Sequence, residues 1–433
     1  MKKQNILKDL YYLVDSEKEE ILDFVRKFLQ IPSEIGNEFE AQNFLFKYFK
    51  NIDLDVDMFL PTEVEGIQNH PGWWPGDVYD NRPNVVAVWK GIKKNKSLII
   101  NGHIDTVEAG PLGLWNYPPF DATIKGGCIF ARGAVDMKGA LGAIIALIGL
   151  LKRNCYKING DLIIESVVGE ELGWFNGSLS CILRGYNADA VLIPEPTDLR
   201  IALGTKGNEV YRLKVPGEGA HQMVWWKGVS ALDNLIKIKS ILAKFQEIRS
   251  NEHSNHSLYG FSKGFPIPVL CDDIYYLTVG SPNLMAVPTE AIAHFMVDVL
   301  PGENREDVLN RFETFVKKES MKIPYLKENN IELERLPYRP IYPTSVPDNL
   351  EVVTVLKNGY ENVMKLPVTK FGFEGSCDAM TFNLYSSTPA VIFGPGKIEQ
   401  AHKPNEFINI NELMNYIKII AYTIFYLFDL EKT

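Results

Sequence analysis

Short apolar runs at residues 85–89, 97–100, 161–168, 188–193 and 390–393 constrain this chain more than any other feature. Most lack the alternation of apolar and polar residues that marks a sheet with one wet face, so strands built from them must be buried on both sides. Stretches with helical spacing lie between and after them, notably 138–152 and 411–428. Strands alternating with helices predict an α/β fold with a mostly parallel central sheet covered on both faces.

Beyond Gly204 the pattern changes to a strand (209–215), a long helix (229–249), two strands (275–280 and 291–300), a helix (305–319) and a strand (331–336). This reads as an α+β unit of about 130 residues, an ordinary domain size. Pro337, Pro340, Pro343 and Pro347 mark the return. The expected organisation is a discontinuous α/β domain (1–205 with 340–433) and an inserted domain (206–339). At 433 residues the chain is too long for one ordinary core. Near the start, residues 5–50 read as two amphipathic helices punctuated by Pro32. Residues 61–83, rich in Pro, Gly and Trp, read as a loop whose Trp73 and Trp74 either line a site or cap a core.

A formal net charge of −9 gives no basic footprint for nucleic acid. No Gly-rich phosphate loop opens a helix, which argues against a nucleotide-binding protein. The first ten residues break their apolar positions with charges, and no later stretch is long enough to span a bilayer, so a soluble, cytoplasmic protein with no membrane partner is expected. Five scattered cysteines without a Cys-x-x-Cys pair argue against a disulfide framework or a thiolate zinc site.

In an open α/β sheet, ligands gather beyond the carboxyl ends of the strands. The run at 97–100 leads into His103 and Asp105, which share a face in an extended segment. A metal-bound histidine usually donates its other ring N–H, so Asp105 reads as the group that orients His103; a surface ion pair fits the same two residues. Asp136 precedes the helix at 138 and reads equally as a ligand or as a plain N-cap. The run at 161–168 ends in Gly169-Glu170-Glu171, adjacent carboxylates suited to different tasks, or else an ordinary solvated pair. Glu195 follows the run at 188–193, and the run at 390–393 leads through Gly394-Pro-Gly to His402. Together these segments offer nitrogen and oxygen donors of the kind zinc takes when thiolates are absent.

The set Gly-His103-Ile-Asp105, Arg-Gly-Ala-Val-Asp136-Met-Lys-Gly, Gly-Glu170-Glu171, Pro-Glu195-Pro and Gly-Pro-Gly through Ala-His402 resembles the signature of the M20 metallopeptidases over almost the whole chain. That group includes acetylornithine deacetylase, succinyl-diaminopimelate desuccinylase, aminoacylase and carboxypeptidase G2. The resemblance implies a zinc-peptidase-like three-layer catalytic domain and an inserted lid or dimerisation domain. It also implies two Zn²⁺ ions, for which Co²⁺ or Mn²⁺ can substitute. Asp136 would bridge them, with His103 and Glu195 on one and Glu171 and His402 on the other, and Glu170 would be the general base.

By the same resemblance His221, after the first strand of the inserted domain, would be an oxyanion donor reaching a partner's active site in a homodimer. The run after it, Gln222-Met-Val-Trp225-Trp226, departs from the small residues and proline common there. Two positions where relatives carry a carboxylate-gripping arginine hold Leu300 and Met380, which removes bidentate recognition of a substrate carboxylate. The expected activity is hydrolysis of a small N-acyl amino acid or N-acyl amine. A dipeptidase or aminopeptidase of the same group is the nearest alternative, and a metal-binding protein without catalysis a remote one. His70, His253, His256 and His294 are assigned no chemistry.

Overall fold

The computed structural model describes residues 2–93 and 96–432. The chain divides into two compact units, Met1–Gly204 with Ser345–Thr433, and Thr205–Thr344.

The larger unit is built on a mixed sheet in the order Asp55–Phe59, Asn84–Trp89, Asp161–Val167, Ser97–His103, Ala190–Ile193, Ala390–Ile392 and Ile201–Thr205, the last also pairing with Lys370–Phe373. The middle four strands are parallel, and antiparallel neighbours flank them. Ser97–His103 is buried at every residue after the first, and Ala190–Ile193 throughout, as strands covered on both faces must be. The helix Lys138–Arg153 is buried from Lys138 to Leu151. A side chain on its Gly142 would begin 3.0 Å from the ring of Phe28, so this glycine lets the helix Lys18–Leu29 pack closely against it.

Residues 2–51 form three helices rather than two, Lys2–Ser16, Lys18–Leu29 and Phe39–Asn51. The first is a separate element because Leu7, Leu10 and Val14 bury a stripe of their own. The segment 61–83 is irregular apart from two 3₁₀ turns, Pro61–Glu63 and Ile67–Asn69.

The smaller unit carries a four-stranded antiparallel sheet in the order Ile274–Val279, Glu290–Val299, Gly207–Pro216, Glu332–Arg335. Burial alternates residue by residue along Gly207–Pro216, the mark of a sheet with one covered face. Tyr211, Leu213, Val215, Phe295 and Val297 pack on that face against Leu235, Ile238 and Phe245 of the helix Ala231–Glu252 and Leu309 and Phe312 of the helix Arg305–Ser320. Among the described residues, no helix is long and apolar enough to cross a membrane.

Candidate metal centre

The parallel register aligns the carboxyl ends of the middle strands. His103 lies opposite Val167, so the chain leaving Val167 enters Gly169-Glu170-Glu171 beside it, while Ile193 pairs with Ile392 just ahead of Glu195. His103, Glu170, Glu171 and Glu195 are thereby drawn to one edge of one sheet, where Asp136 and His402 meet them.

Asp136 sits at the centre. Its Oδ1 lies 3.1 Å from His103 Nε2, and its Oδ2 lies 3.3 Å from His402 Nε2. His103 Nε2 is also 3.7 Å from Glu195 Oε1, and His402 Nε2 is 2.8 Å from Glu171 Oε2. Two donor trios result, His103–Asp136–Glu195 and Asp136–Glu171–His402, each with ligand atoms within 4.8 Å of one another. The N-cap of the helix Lys138–Arg153 is Met137, not Asp136, so the plain-cap reading of Asp136 gives way to its place between the trios.

Asp105 acts differently from the sequence-based expectation. His103 Nδ1 makes its hydrogen bond to the backbone carbonyl of Asp105 at 2.8 Å, while the nearer carboxylate oxygen stands 4.0 Å away. A carbonyl can only accept, so Nδ1 carries a proton, and in the neutral ring that tautomer leaves the Nε2 lone pair for a cation held beside Asp136. The Asp105 carboxylate instead accepts from the backbone N–H groups of Gly169 (3.1 Å) and Glu171 (3.0 Å), fixing the turn that presents Glu170 and Glu171.

Two further residues, not anticipated from the sequence, hold Asp136. Glu406 accepts from the backbone N–H of Val135 (2.9 Å) and Asp136 (3.3 Å), and is itself paired with Arg132 at 2.7 Å. Arg132 lies within the motif segment before Asp136 and Glu406 only four residues after His402, but 274 positions separate the pair. The loop bearing His402, which adopts φ 59°, is tied down by Asn405. That side chain accepts from Asn116 N–H at 2.6 Å and donates to the Leu114 carbonyl at 3.0 Å.

The electrostatics show a deficit of positive charge. Burial and the charges of neighbouring carboxylates push Glu170 and Glu195 well above the ordinary carboxylate range. Among the described residues, the ion pairs of Asp136, Glu171 and Glu195 are with His103 and His402 alone. Burial opposes a proton on His103, but the hydrogen bond to Asp136 and the charges of Glu170 and Glu195 raise its pKa well above the usual value. Hydrogen bonds to Asp136 and Glu171 bring His402 to about 10. The residues fit divalent cations. The donor separations bracket the roughly 3.4 Å expected between two ligands on an ion bonded at about 2.1 Å, and imidazoles with carboxylates and no thiolate suit first-row divalent ions.

His221 belongs to the smaller unit, where its exposed side chain caps a short 3₁₀ turn by accepting from Met223 N–H at 3.2 Å. Leu300 and Met380 are both buried. In the Trp loop, the backbone of Trp74 exchanges two hydrogen bonds with the side chain of Asn176 (3.0 and 2.8 Å) and Trp73 packs on Tyr79. A Cβ on Gly169 would lie 3.2 Å from the Tyr79 hydroxyl, so this loop borders the turn that carries Glu170.

The profile described as Peptidase family M20/M25/M40 matches residues 99–426. The chain belongs to this family. Like its other members it is a hydrolase of amide or peptide bonds, and the cluster at the strand ends lies within the matched region. It is 27% identical to the N-formyl-4-amino-5-aminomethyl-2-methylpyrimidine deformylase of Halalkalibacterium halodurans, over 97% of each chain. It is 25% identical to a probable succinyl-diaminopimelate desuccinylase of Staphylococcus aureus, over 93% of this chain and 96% of the other. A crystal structure of a Staphylococcus aureus tripeptidase superposes with a TM-score of 0.68 at 21% identity, covering 95% of this chain and 98% of that one. This last likeness is one of fold.

Proposed function

We propose that this M20 hydrolase is a two-zinc deacylase acting on a small N-acyl amine that lacks a free α-carboxylate. The observation that carries the reading is the pair of donor trios sharing Asp136, with Glu170 on the same turn as Glu171. Two features support the substrate class. Leu300 and Met380 occupy the two sequence positions where the family resemblance expects carboxylate-gripping arginines. The deformylase and desuccinylase relatives are both named for removing an acyl group from an amine, and of the two named substrates the deformylase's, an acylated aminomethylpyrimidine, is the one without a carboxylate.

His103, Asp136 and Glu195 would hold one ion, and Asp136, Glu171 and His402 the other. When bound, the ions supply Lewis acidity that acidifies a water and polarises the scissile carbonyl. Glu170 takes the proton of the attacking water and passes it to the leaving nitrogen as the C–N bond breaks. Its environment, which raises its proton affinity, suits a group that must hold a proton between those two steps. Asp105 keeps His103 in the tautomer that leaves Nε2 available. Trp73 and Trp74 serve as an apolar wall for the acyl or ring group.

His221 is assigned the oxyanion-donor role across a homodimer formed through the smaller unit. Support comes from the edge strand Ile274–Val279, whose Tyr275, Tyr276 and Leu277 are exposed, an edge that a second copy would cover. The scattered cysteines, with no disulfide among the described residues, support a cytoplasmic setting.

The test is a kinetic panel of N-formyl, N-acetyl and N-succinyl amines beside N-acyl amino acids and di- and tripeptides, with zinc-loaded protein and Glu170→Gln as control. Turnover of acylated amines that vanishes in the variant supports the reading. A preference for peptides moves the chain to the peptidases of the family, and silence on every amide contradicts it.

A further inference from the structure

Behind the candidate centre, Asn101 and Glu165 stand opposite each other in parallel register on the strands that lead to His103 and to Glu170. Both are wholly buried. Asn101 Nδ2 donates to Glu165 Oε2 at 2.9 Å and to Ser178 Oγ at 2.9 Å, which uses both of its amide protons. Asn101 Oδ1 and Glu165 Oε1 are left buried with no hydrogen-bond partner. Both are acceptors if Glu165 is a carboxylate, and two buried acceptors cannot satisfy each other.

We propose that Glu165 is a neutral carboxylic acid in the working protein, closing an acid–amide pair with Asn101 that fixes the His103 strand to the strand leading into Glu170 and Glu171. A proton on Oε1 turns it into a donor for Asn101 Oδ1, so one atom resolves both orphaned oxygens. The surroundings favour this state. No Lys, Arg or His among the described residues forms an ion pair with Glu165. The titratable groups that act on it or feel it are Asp378, whose charge opposes a second carboxylate, and the buried thiol of Cys181. Burial, with the charge of Asp378, brings its pKa up to about 8 against the one opposing hydrogen bond from Asn101. Glu165 is then a positioning residue, five positions before Glu170, that adds no negative charge behind an edge already crowded with carboxylates. Its catalytic importance rests on the deacylase reading; its protonation state does not.

The fold keeps a proton here that the unfolded chain gives up above about pH 4.3. The native protein therefore binds more protons than the unfolded chain between about pH 4 and 8, and this site's contribution to stability falls as pH rises through that window, then levels off. Glu165→Gln keeps both hydrogen bonds as an amide–amide pair and has no proton to lose. At equal metal loading its Tm should match the parent's near pH 5 and exceed it increasingly toward pH 8. The infrared difference spectrum of parent minus variant should show a protonated-carboxyl band.

On an N-formyl amine, Glu165→Gln should keep kcat within about twofold, whereas Glu165→Ala should lose about 10–100-fold. A variant Tm below the parent's at every pH, or no protonated-carboxyl band, would mean an ionised Glu165 satisfied by a water and would overturn the proposal. Equal kcat in Glu165→Ala and the parent would overturn the positioning role. The Tm and infrared readouts need no substrate and no Glu165→Ala protein. They decide the protonation state even if the parent hydrolyses no N-acyl amine, the outcome that would contradict the deacylase reading alone.

Discussion

The two units handle charge in opposite ways. On the open face of the smaller unit's sheet, charges meet their opposites across neighbouring strands. Lys214 contacts Glu290 at 2.9 Å and Glu332 at 3.6 Å, and Arg212 meets Glu334 at 2.9 Å. At the carboxyl edge of the larger unit, Asp136, Glu171 and Glu195 form ion pairs, among the described residues, with two imidazoles alone. Charge compensated locally on a wet surface asks for nothing further and contributes little. Buried charge without compensation calls for a cation or a proton, and the chemistry is placed there for that reason.

The largest effect expected from this contrast is at Asp136, the one residue shared by both trios. Asp136→Ala should reduce bound zinc, measured by elemental analysis after gel filtration, from two ions to less than one and bring hydrolysis to background. A variant that retains both ions would break the comparison. Next is Glu170→Gln, which should lower kcat by about 10²–10⁴-fold with metal content unchanged, separating proton transfer from metal holding.

Asp105→Ala should cost about 10–100-fold in activity or metal affinity, because it frees the turn that presents Glu170 and Glu171. Asp105→Asn should cost less, since its side-chain oxygen can still accept one of the two N–H bonds. Smallest is Lys214→Ala on the smaller unit, which should leave metal content and kcat unchanged and move the melting temperature little. A large loss there would show that the surface pairs matter more than their exposure allows.

Much of this arrangement was legible in the sequence because it is local. The apolar run 97–100 falls within the strand Ser97–His103 and the run 188–193 contains the strand Ala190–Ile193, and the residues at or just past each strand end are what the sheet brings to the edge. The strand Asp55–Phe59 was not anticipated. It is an antiparallel edge strand that carries Asp55 and Asp57 among its five residues, and it lacks the apolar run that marks the middle of the sheet. The helix Asn176–Leu183 was missed for another reason. At eight residues it is too short for its periodicity to stand out.

The site divides in the same way. The motif residues could be found from strand ends and family resemblance. The residues that hold them depend on contacts the sequence does not display: Glu406 with Arg132, Asn405 with Asn116, and Asn101 with Glu165. Asp105 shows the limit best. Its spacing from His103 indicated an orienting partner, but only the backbone path decides that its carbonyl, not its carboxylate, meets the ring.

The most direct test of the central claim is to strip the protein of metal and follow hydrolysis of an N-formyl amine as zinc is returned in known increments. The account predicts no turnover in the stripped protein, a rise to a plateau at two zinc ions per chain, and no such rise in Glu170→Gln. Turnover that survives removal of metal, or that returns equally in Glu170→Gln, would contradict it.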